Sequence, residues 1–234
     1  MANPALLFLD SDALIQHLIA GTVHVLRELK VRYGIQAVIV PEVEIEVSSG
    51  RFGPRFKPAL GKAISNGVIK VFEASKYNGL LQASAQLQAS AIGVSHADIQ
   101  HLGAAYYRRA DLGEAYTFAA AVKLGQPAVS NDITAVRALE GAGLQLPCTV
   151  LRAFDLAVFA YQSQIVLEAD ADAFRKALLA ERSEFIPKCF RSNSFADGLR
   201  KYVPRMLDSS KSGCGMAPSA TSPAWANPLM IAPL

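Results

Sequence analysis

Residues Ala5–Asp12 read ALLFLDSD, which is five apolar residues followed directly by two aspartates that flank a serine. An apolar run of this length, ended by polar residues, is typical of a strand buried on both faces of a sheet. A helical pattern follows, in which leucine and valine recur at helical spacing over residues 13–33. A buried strand followed by a helix predicts the start of a βαβ unit and of a parallel sheet.

The alternation of strand and helix continues to about residue 150. Further strands are predicted at Ala37–Val40, near Val68–Phe72, at Pro127–Ser130 and at Leu144–Val150. Helices are predicted at Glu42–Ser49, near Ala59–Ser65, over residues 76–92 and 96–108, at Asp111–Leu124 and at Asp132–Ala142. The expected fold class is therefore α/β, with three helix–sheet–helix layers around a mostly parallel sheet of about five strands.

The character of the chain changes after the last predicted strand, which suggests three regions. Residues 1–165 are expected to form the α/β domain, and residues 166–207 a helical extension with helices over 168–182 and 193–202. Residues 208–234 consist largely of Ser, Gly, Pro and Ala without periodicity, and are predicted to be a disordered tail.

Composition favours a packed globule, because 51% of the residues are apolar and only 18% are charged. The net charge of +3 permits nucleic-acid binding without arguing for it. The three cysteines lack CxxC or zinc spacing and are interpreted as free thiols in a reducing compartment. No apolar stretch approaches the roughly 18 residues of a membrane span, and the N-terminus lacks a basic leader region. A cytoplasmic protein without membrane association is expected.

Four acids fall just beyond the carboxyl ends of predicted strands or at the helices that follow: Asp10, Glu46, Glu114 and Asp132. In a parallel sheet with the first strand in the centre, these strand ends converge on one crevice. The alternative for Asp10 and Asp132 is that each only caps the next helix. Glu114, in the first turn of a helix, could likewise only favour the helix dipole.

Carboxylates that lie close together repel each other and need a compensating cation at neutral pH. Hard divalent ions such as Mg²⁺ or Mn²⁺ prefer oxygen ligands. Such an ion can activate water and stabilise charge on a phosphodiester. The acids therefore predict metal-dependent phosphodiester hydrolysis.

Three segments resemble the signature regions of PIN domains, the fold of many bacterial toxin ribonucleases and RNA-processing nucleases. They are FLDSDALI at residues 8–15, VPEVEIEV at residues 40–47 and DLGEAYTFAAAVKLGQPAVSND at residues 111–132. The resemblance covers about residues 5–150 and implies a PIN-like version of the α/β/α fold. It also implies a Mg²⁺- or Mn²⁺-dependent endoribonuclease that cuts single-stranded RNA.

The resemblance assigns the site residue by residue. The family pairs its first acid with a following Ser or Thr, here Asp10 and Ser11, and its V-x-x-E pattern favours Glu46 over Glu42 and Glu44.

The family's third acid opens an alanine-rich helix, as Glu114 does. Its fourth acid lies in a T/S-x-D arrangement, matched by Ser130, Asn131 and Asp132. The D-x-G-E variant at residues 111–114 adds Asp111 as a further metal ligand, and Asp12 is a supporting candidate.

Partners follow from the same resemblance. Many family members are toxins of toxin–antitoxin pairs, which implies a small antitoxin protein as a partner beside the RNA substrate; a homodimer stays an open alternative. The chain departs from the compact toxins in two ways. It has additional residues between the third predicted strand and Asp111, and it has a C-terminal extension.

Basic residues near the acids are candidates for RNA contacts. Arg51, Arg55 and Lys57 are predicted to lie in a loop with two phenylalanines, and Arg108 and Arg109 precede Asp111. The alternative is a solvated loop with two aromatic anchors. The four histidines show no ligand spacing and are predicted on helix surfaces.

Two other functions stay open. A catalytically silent PIN-like module would bind RNA or protein without cutting. A phosphatase of the haloacid-dehalogenase type would use Asp10 as nucleophile and Asp12 as acid and base. The phosphatase is disfavoured because Asp132 has no acidic partner in the residues that follow it.

Overall fold

The first strand lies in the centre of the sheet, where its apolar run is buried from Leu6 to Leu9. The structure is a computed structural model, and it describes residues 5–49, 53–72, 96–108, 110–147, 149–181 and 186–202. The strands are β1 Ala5–Leu9, β2 Ile35–Ile39, β3 Ile69–Val71, β4 Ala128–Val129 and β5 Val150–Leu151.

The five strands form one parallel sheet in the order β3-β2-β1-β4-β5. β1 pairs with β2 on one side and with β4 on the other, so the chain runs outward from β1 to β2 and β3 and then returns to the other side of β1 as β4 and β5. Helices flank the sheet, and the three-layer α/β/α class predicted from the sequence is confirmed. The switch between the two directions of winding places a crevice at the carboxyl end of β1.

The helices surround the sheet and continue beyond it. They are α1 Ser11–Ile19, α2 Val23–Tyr33, α3 Pro41–Ser49, α4 Gly53–Ser65, α5 His96–Tyr106, α6 Leu112–Leu124, α7 Ile133–Gly141, α8 Ala153–Gln162, α9 Glu168–Ala180, α10 Lys188–Arg191 and α11 Phe195–Leu199. α6 packs against β1, α3 and α5.

The single helix predicted over residues 13–33 is wrong, because the chain breaks into α1 and α2. Gly21 adopts a positive φ of 66° at the break, a conformation that glycine tolerates best. His17, predicted on a helix surface, is only 1% exposed and faces Phe174, with ring centroids 5.7 Å apart. Burial, helped by the nearby charge of His24, lowers the pKa of His17 to about 4. His24 and His101 are exposed, as predicted.

The predicted loop over residues 50–58 is also wrong in its described part, where α4 already begins at Gly53. Phe56, Leu60 and Ala63 are buried at helical spacing, and this packing outweighs the two prolines near the start of the helix. Gly53 approaches the backbone oxygen of Ser48 so closely that a Cβ would overlap with it.

The last strand is shorter and later than the predicted Leu144–Val150, since only Val150 and Leu151 pair with β4. The predicted helix over residues 168–182 corresponds to α9. The one predicted over 193–202 corresponds to the short α11. α9 packs on α1 and α8, and its Phe174 belongs to the same buried cluster as the sheet. The predicted tail, residues 208–234, lies outside the described residues, as do Cys148 and Cys214 and the predicted helix over 76–92.

Among the described helices, none combines the length and the apolar character needed to cross a lipid bilayer.

Candidate functional site

Two neighbouring strands end at the residues that the sequence selects. Asp10 follows β1 directly, and its backbone N–H donates to the carbonyl of Val129, the last residue of β4, at 3.0 Å. Ser130, Asn131 and Asp132 continue from β4. Because this hydrogen bond ties the two strand ends together, the first and fourth predicted acids belong to one edge of the sheet.

Asp10 is only 3% exposed and caps α1. Its Oδ1 accepts a hydrogen bond from the N–H of Ala13 at 2.7 Å. The capping alternative therefore holds for this residue. It does not exclude a role in the site, because a carboxylate carries two oxygens with several lone pairs.

Glu114 lies in the first turn of α6 and is only 5% exposed. The hydroxyl of Ser130 donates a hydrogen bond to Glu114 Oε1. The same hydroxyl oxygen accepts one from the backbone N–H of Asp132 at 3.2 Å. Ser130 thus bridges the third and fourth acids.

The acids act on one another electrostatically. Burial raises the pKa of Glu114, and the negative charges of Asp10, Asp132 and Asp111 raise it further, to about 8, against the opposing hydrogen bond from Ser130. A carboxyl group buried among carboxylates keeps its proton because a further negative charge there would be neither solvated nor paired. The structure therefore brings these four side chains into one electrostatic group.

Glu46 reaches the same region from α3. Its Oε1 accepts a hydrogen bond from the backbone N–H of Gly113 at 2.9 Å, one residue before Glu114. A Cβ on Gly113 would overlap with the Glu46 carboxylate, so the approach needs glycine. Glu46 is thus the acid of α3 that meets the start of α6. Glu42 and Glu44 are half-buried on the same helix.

Asp132 is half-buried and caps α7. Its Oδ1 accepts hydrogen bonds from the N–H groups of Thr134 at 2.6 Å and of Ala135 at 3.2 Å. These two donors fix the side chain at the helix N-terminus, where the helix dipole also favours a negative charge.

The donor set suits Mg²⁺ or Mn²⁺, because it consists of carboxylate oxygens without histidine or cysteine. Among the residues that the structure describes, no three side chains of His, Cys, Asp or Glu are arranged to hold a metal ion. Instead, each of the four main acids accepts a hydrogen bond from the chain itself. The residues therefore fit a dication in chemistry and in charge, and binding one would require side-chain rotation.

The remaining site candidates lie around this group. Ser11 begins α1 and Asp12 lies in its first turn, and both are half-buried. Asp111 is the exposed N-cap residue of α6. Asn131 is buried, and its Oδ1 accepts a hydrogen bond from the N–H of Ala153 at 3.1 Å.

Two of the basic residues predicted to contact RNA, Arg55 and Lys57, lie on helix α4 and not in a loop. Arg55 lies on α4, pairs with Glu181 of the extension at 2.8 Å and lies over the ring of Phe56. Lys57 and Arg108 are exposed to solvent. Arg51 and Arg109 lie outside the described residues.

Sequence reasoning missed a set of exposed apolar side chains beside the acids. Ile45, Leu112 and Ile133 are 63%, 39% and 41% exposed, and each is next in sequence to one of the acids Glu46, Asp111 and Asp132. Tyr107, at the end of α5, is 56% exposed. The only signal in the sequence was the position of these apolar residues next to predicted site acids. That signal does not show whether their side chains are exposed.

Comparison with protein-family models, with curated proteins and with solved structures gives no match for this chain. The site is therefore interpreted from its own geometry and chemistry.

Proposed function

We propose that this protein is a metal-dependent endonuclease that hydrolyses phosphodiester bonds in single-stranded RNA. The observation that carries the proposal is the environment of Glu114. This buried carboxyl group lies at the carboxyl edge of a parallel sheet and within the electrostatic reach of three aspartates. Such an arrangement is unfavourable for a structural purpose alone, and strongly shifted pKa values of this kind cluster at functional sites.

A divalent cation would relieve the repulsion within this group. The residues that would hold Mg²⁺ or Mn²⁺ are Asp10, Glu46, Asp111, Glu114 and Asp132. When bound, such an ion supplies Lewis-acid chemistry, in that it activates water and neutralises charge on phosphate oxygens.

The protein's own side chains prepare this site. Ser130 holds the Glu114 carboxyl group and the backbone of Asp132 in one hydrogen-bonded unit. The caps at Asp10 and Asp132 keep both carboxylates at the strand ends, from which they would rotate to bind an ion.

Exposed apolar residues next to the acids in the sequence favour a substrate with unpaired bases. Ile45, Leu112, Ile133 and the ring of Tyr107 offer exposed apolar area, which a duplex with stacked bases cannot use. The exposed cations Lys57 and Arg108 are available for backbone phosphates. We extend the proposal, on the resemblance to PIN domains, to a toxin that a small antitoxin protein neutralises and that can form a homodimer.

The test is a cleavage assay on a mixed pool of single-stranded RNA with Mn²⁺ and with EDTA. The wild-type protein should cut only with Mn²⁺, and the Asp10→Asn variant should not cut. Glu140→Gln removes an exposed carboxylate of α7 and should cut like the wild type. Release of phosphate from small monoesters in place of RNA cleavage would indicate a phosphatase.

A catalytically silent PIN-like module is the second candidate. It is favoured by the hydrogen bonds that the four acids accept from the chain, and by side-chain positions that are not arranged around an ion in the described ranges. Such a module would bind RNA equally well with EDTA and would cut nothing with any divalent ion. Electrophoretic mobility shifts in both conditions separate the two candidates.

A further inference from the structure

The loop that carries Asp132 lies at a weakly paired part of the sheet. β4 pairs with β5 at two positions, Ala128 with Val150 and Val129 with Leu151, whereas β1 pairs with β2 at four. β4 also pairs with β1 at two positions, and a strand of two residues is shorter than the roughly three to ten residues that are usual. The position of Asp132 must therefore depend on contacts beyond the sheet.

A hydrogen-bonded connection supplies such contacts. The Oδ1 of Asn131, the residue before Asp132, accepts from the N–H of Ala153 at the start of α8. The N–H of the preceding residue, Arg152, donates to Asp155 Oδ2 at 2.6 Å. The start of α8 is thus fixed on one side to the Asp132 loop and on the other to Asp155.

The connection ends in the C-terminal extension. The hydroxyl of Tyr202 donates to Asp155 Oδ1 at 2.6 Å, and the Arg152 guanidinium lies 4.9 Å above the centre of the Tyr202 ring. Asp155, Asn131 and Tyr202 are all at least nine-tenths buried. Buried hydrogen bonds that include a carboxylate are directional and costly to break.

Aromatic packing holds the extension in place. The Phe190 ring lies 5.0 Å from the ring of Phe154 on α8 and 5.1 Å from that of Tyr202. This packing supplies affinity between the segments, while the Tyr202 hydroxyl supplies a fixed direction.

We infer that residues 186–202 position Asp132, with Tyr202, Asp155 and Asn131 as positioning residues. The extension is then a working part of the site. The inference rests on the proposed function where it concerns activity. The placement of Asp132 itself can be measured without any cleavage.

The first test measures amide hydrogen exchange in the full chain. Tyr202→Phe removes one hydroxyl and keeps the ring. The N–H groups of Thr134 and Ala135, which donate to Asp132, should exchange at least about fivefold faster, because a partner of a buried hydrogen bond is lost. The N–H of Ala13, which donates to Asp10, should keep its rate. Unchanged rates at Thr134 and Ala135 overturn the inference.

The second test measures cleavage against Mn²⁺ concentration. In Tyr202→Phe the concentration for half-maximal rate should rise about tenfold, as for other residues that orient metal ligands, with the KM for RNA unchanged. Tyr161→Phe, whose ring packs on Phe195, should behave like the wild type. Leu178→Ala should lower thermal stability without changing the Mn²⁺ requirement, since Leu178 is a buried residue of α9 whose apolar side chain takes no part in these hydrogen bonds.

The outcomes are separable. An equal shift in Leu178→Ala, or none in Tyr202→Phe, would reduce the extension to a stabilising role. A wild-type protein that cuts no RNA contradicts the nuclease proposal alone, and the exchange rates then decide the inference by themselves. Asn131→Ala should reproduce both effects of Tyr202→Phe. In Asn131→Asp the exchange rates and the Mn²⁺ requirement should lie closer to the wild-type values, because aspartate keeps an acceptor for the N–H of Ala153.

Discussion

The carboxylate of Glu46 accepts a hydrogen bond from the backbone N–H of Gly113, 2.9 Å away, and so joins α3 to the start of α6. The contact lies one residue from Glu114, whose pKa responds to three further acids. A glycine and a glutamate that are 67 positions apart in the chain therefore bring the second and third acids together.

We expect Gly113→Ala to lower cleavage while it leaves the fold intact. The added methyl group would overlap with the Glu46 carboxylate, which is flexible and would move away. Alanine is also favoured over glycine in a helix by about 1 kcal/mol, so the free energy of unfolding should stay within about that amount of the wild-type value. Cleavage rate and thermal unfolding, measured together, check this.

Gly61→Ala is the matched control, because its Cβ would enter open space on α4. It should raise stability by about 0.5–1 kcal/mol and leave cleavage unchanged. Equal cleavage by both alanine variants would mean that Glu46 has no part in the site.

The stability of the protein without divalent ions should fall as pH rises from about 6.5 to about 8, above the window of about 4 to 6.5 in which the lowered pKa of the buried His17 makes stability rise with pH. Glu114 keeps its proton up to about pH 8 in the folded chain but only up to about 4.5 in the unfolded chain. Between these two pH values the folded state binds the additional proton, so a rise in pH favours unfolding by at most about 1.4 kcal/mol per pH unit. Chemical denaturation in EDTA at a series of pH values measures the slope.

Glu114→Gln should flatten this slope, because glutamine stays neutral in both states and keeps a carbonyl acceptor for Ser130. Glu140→Gln, at an exposed position of α7, should retain the wild-type slope. A wild-type curve identical to that of Glu114→Gln would show that Glu114 does not bind the additional proton.

Substitutions at Asp132 should separate its cap from its charge. Asp132→Asn keeps an oxygen that can accept from Thr134 and Ala135, whereas Asp132→Ala removes it. The alanine variant should therefore be less stable than the asparagine variant by about 1 kcal/mol. Both should lose Mn²⁺-dependent cleavage. Cleavage by the asparagine variant at the wild-type rate would restrict Asp132 to its capping role.

Much of the fold could be predicted from local patterns. The apolar run Ala5–Leu9 predicted the central strand, because a strand buried on both faces leaves a simple sequence pattern, and Asp10 was placed at its carboxyl end. The break at Gly21 was missed, and the helix predicted near Ala59–Ser65 begins six residues earlier, at Gly53. Tertiary packing of Phe56 and Leu60 outweighed the proline and glycine content that predicted a loop.

The candidate site could be predicted only in part. Asp10 and Asp132 were identified by their place after strands, but their capping hydrogen bonds depend on side-chain direction. The pairing of Arg55 with Glu181 and of Tyr202 with Asp155 joins residues 126 and 47 positions apart, and neither leaves a local pattern. Sequence spacing predicts which strand end a residue follows, whereas such long-range contacts depend on how the extension packs.

The most direct test of the carboxylate group is calorimetric titration with Mn²⁺ in buffers of different ionisation enthalpy. At pH 7 the account predicts one specific ion site whose occupation releases about one proton, because Glu114 must lose its proton to bind a cation. The release should vanish in Glu114→Gln. Absence of specific Mn²⁺ binding, or binding without proton release in the wild type, would contradict the account.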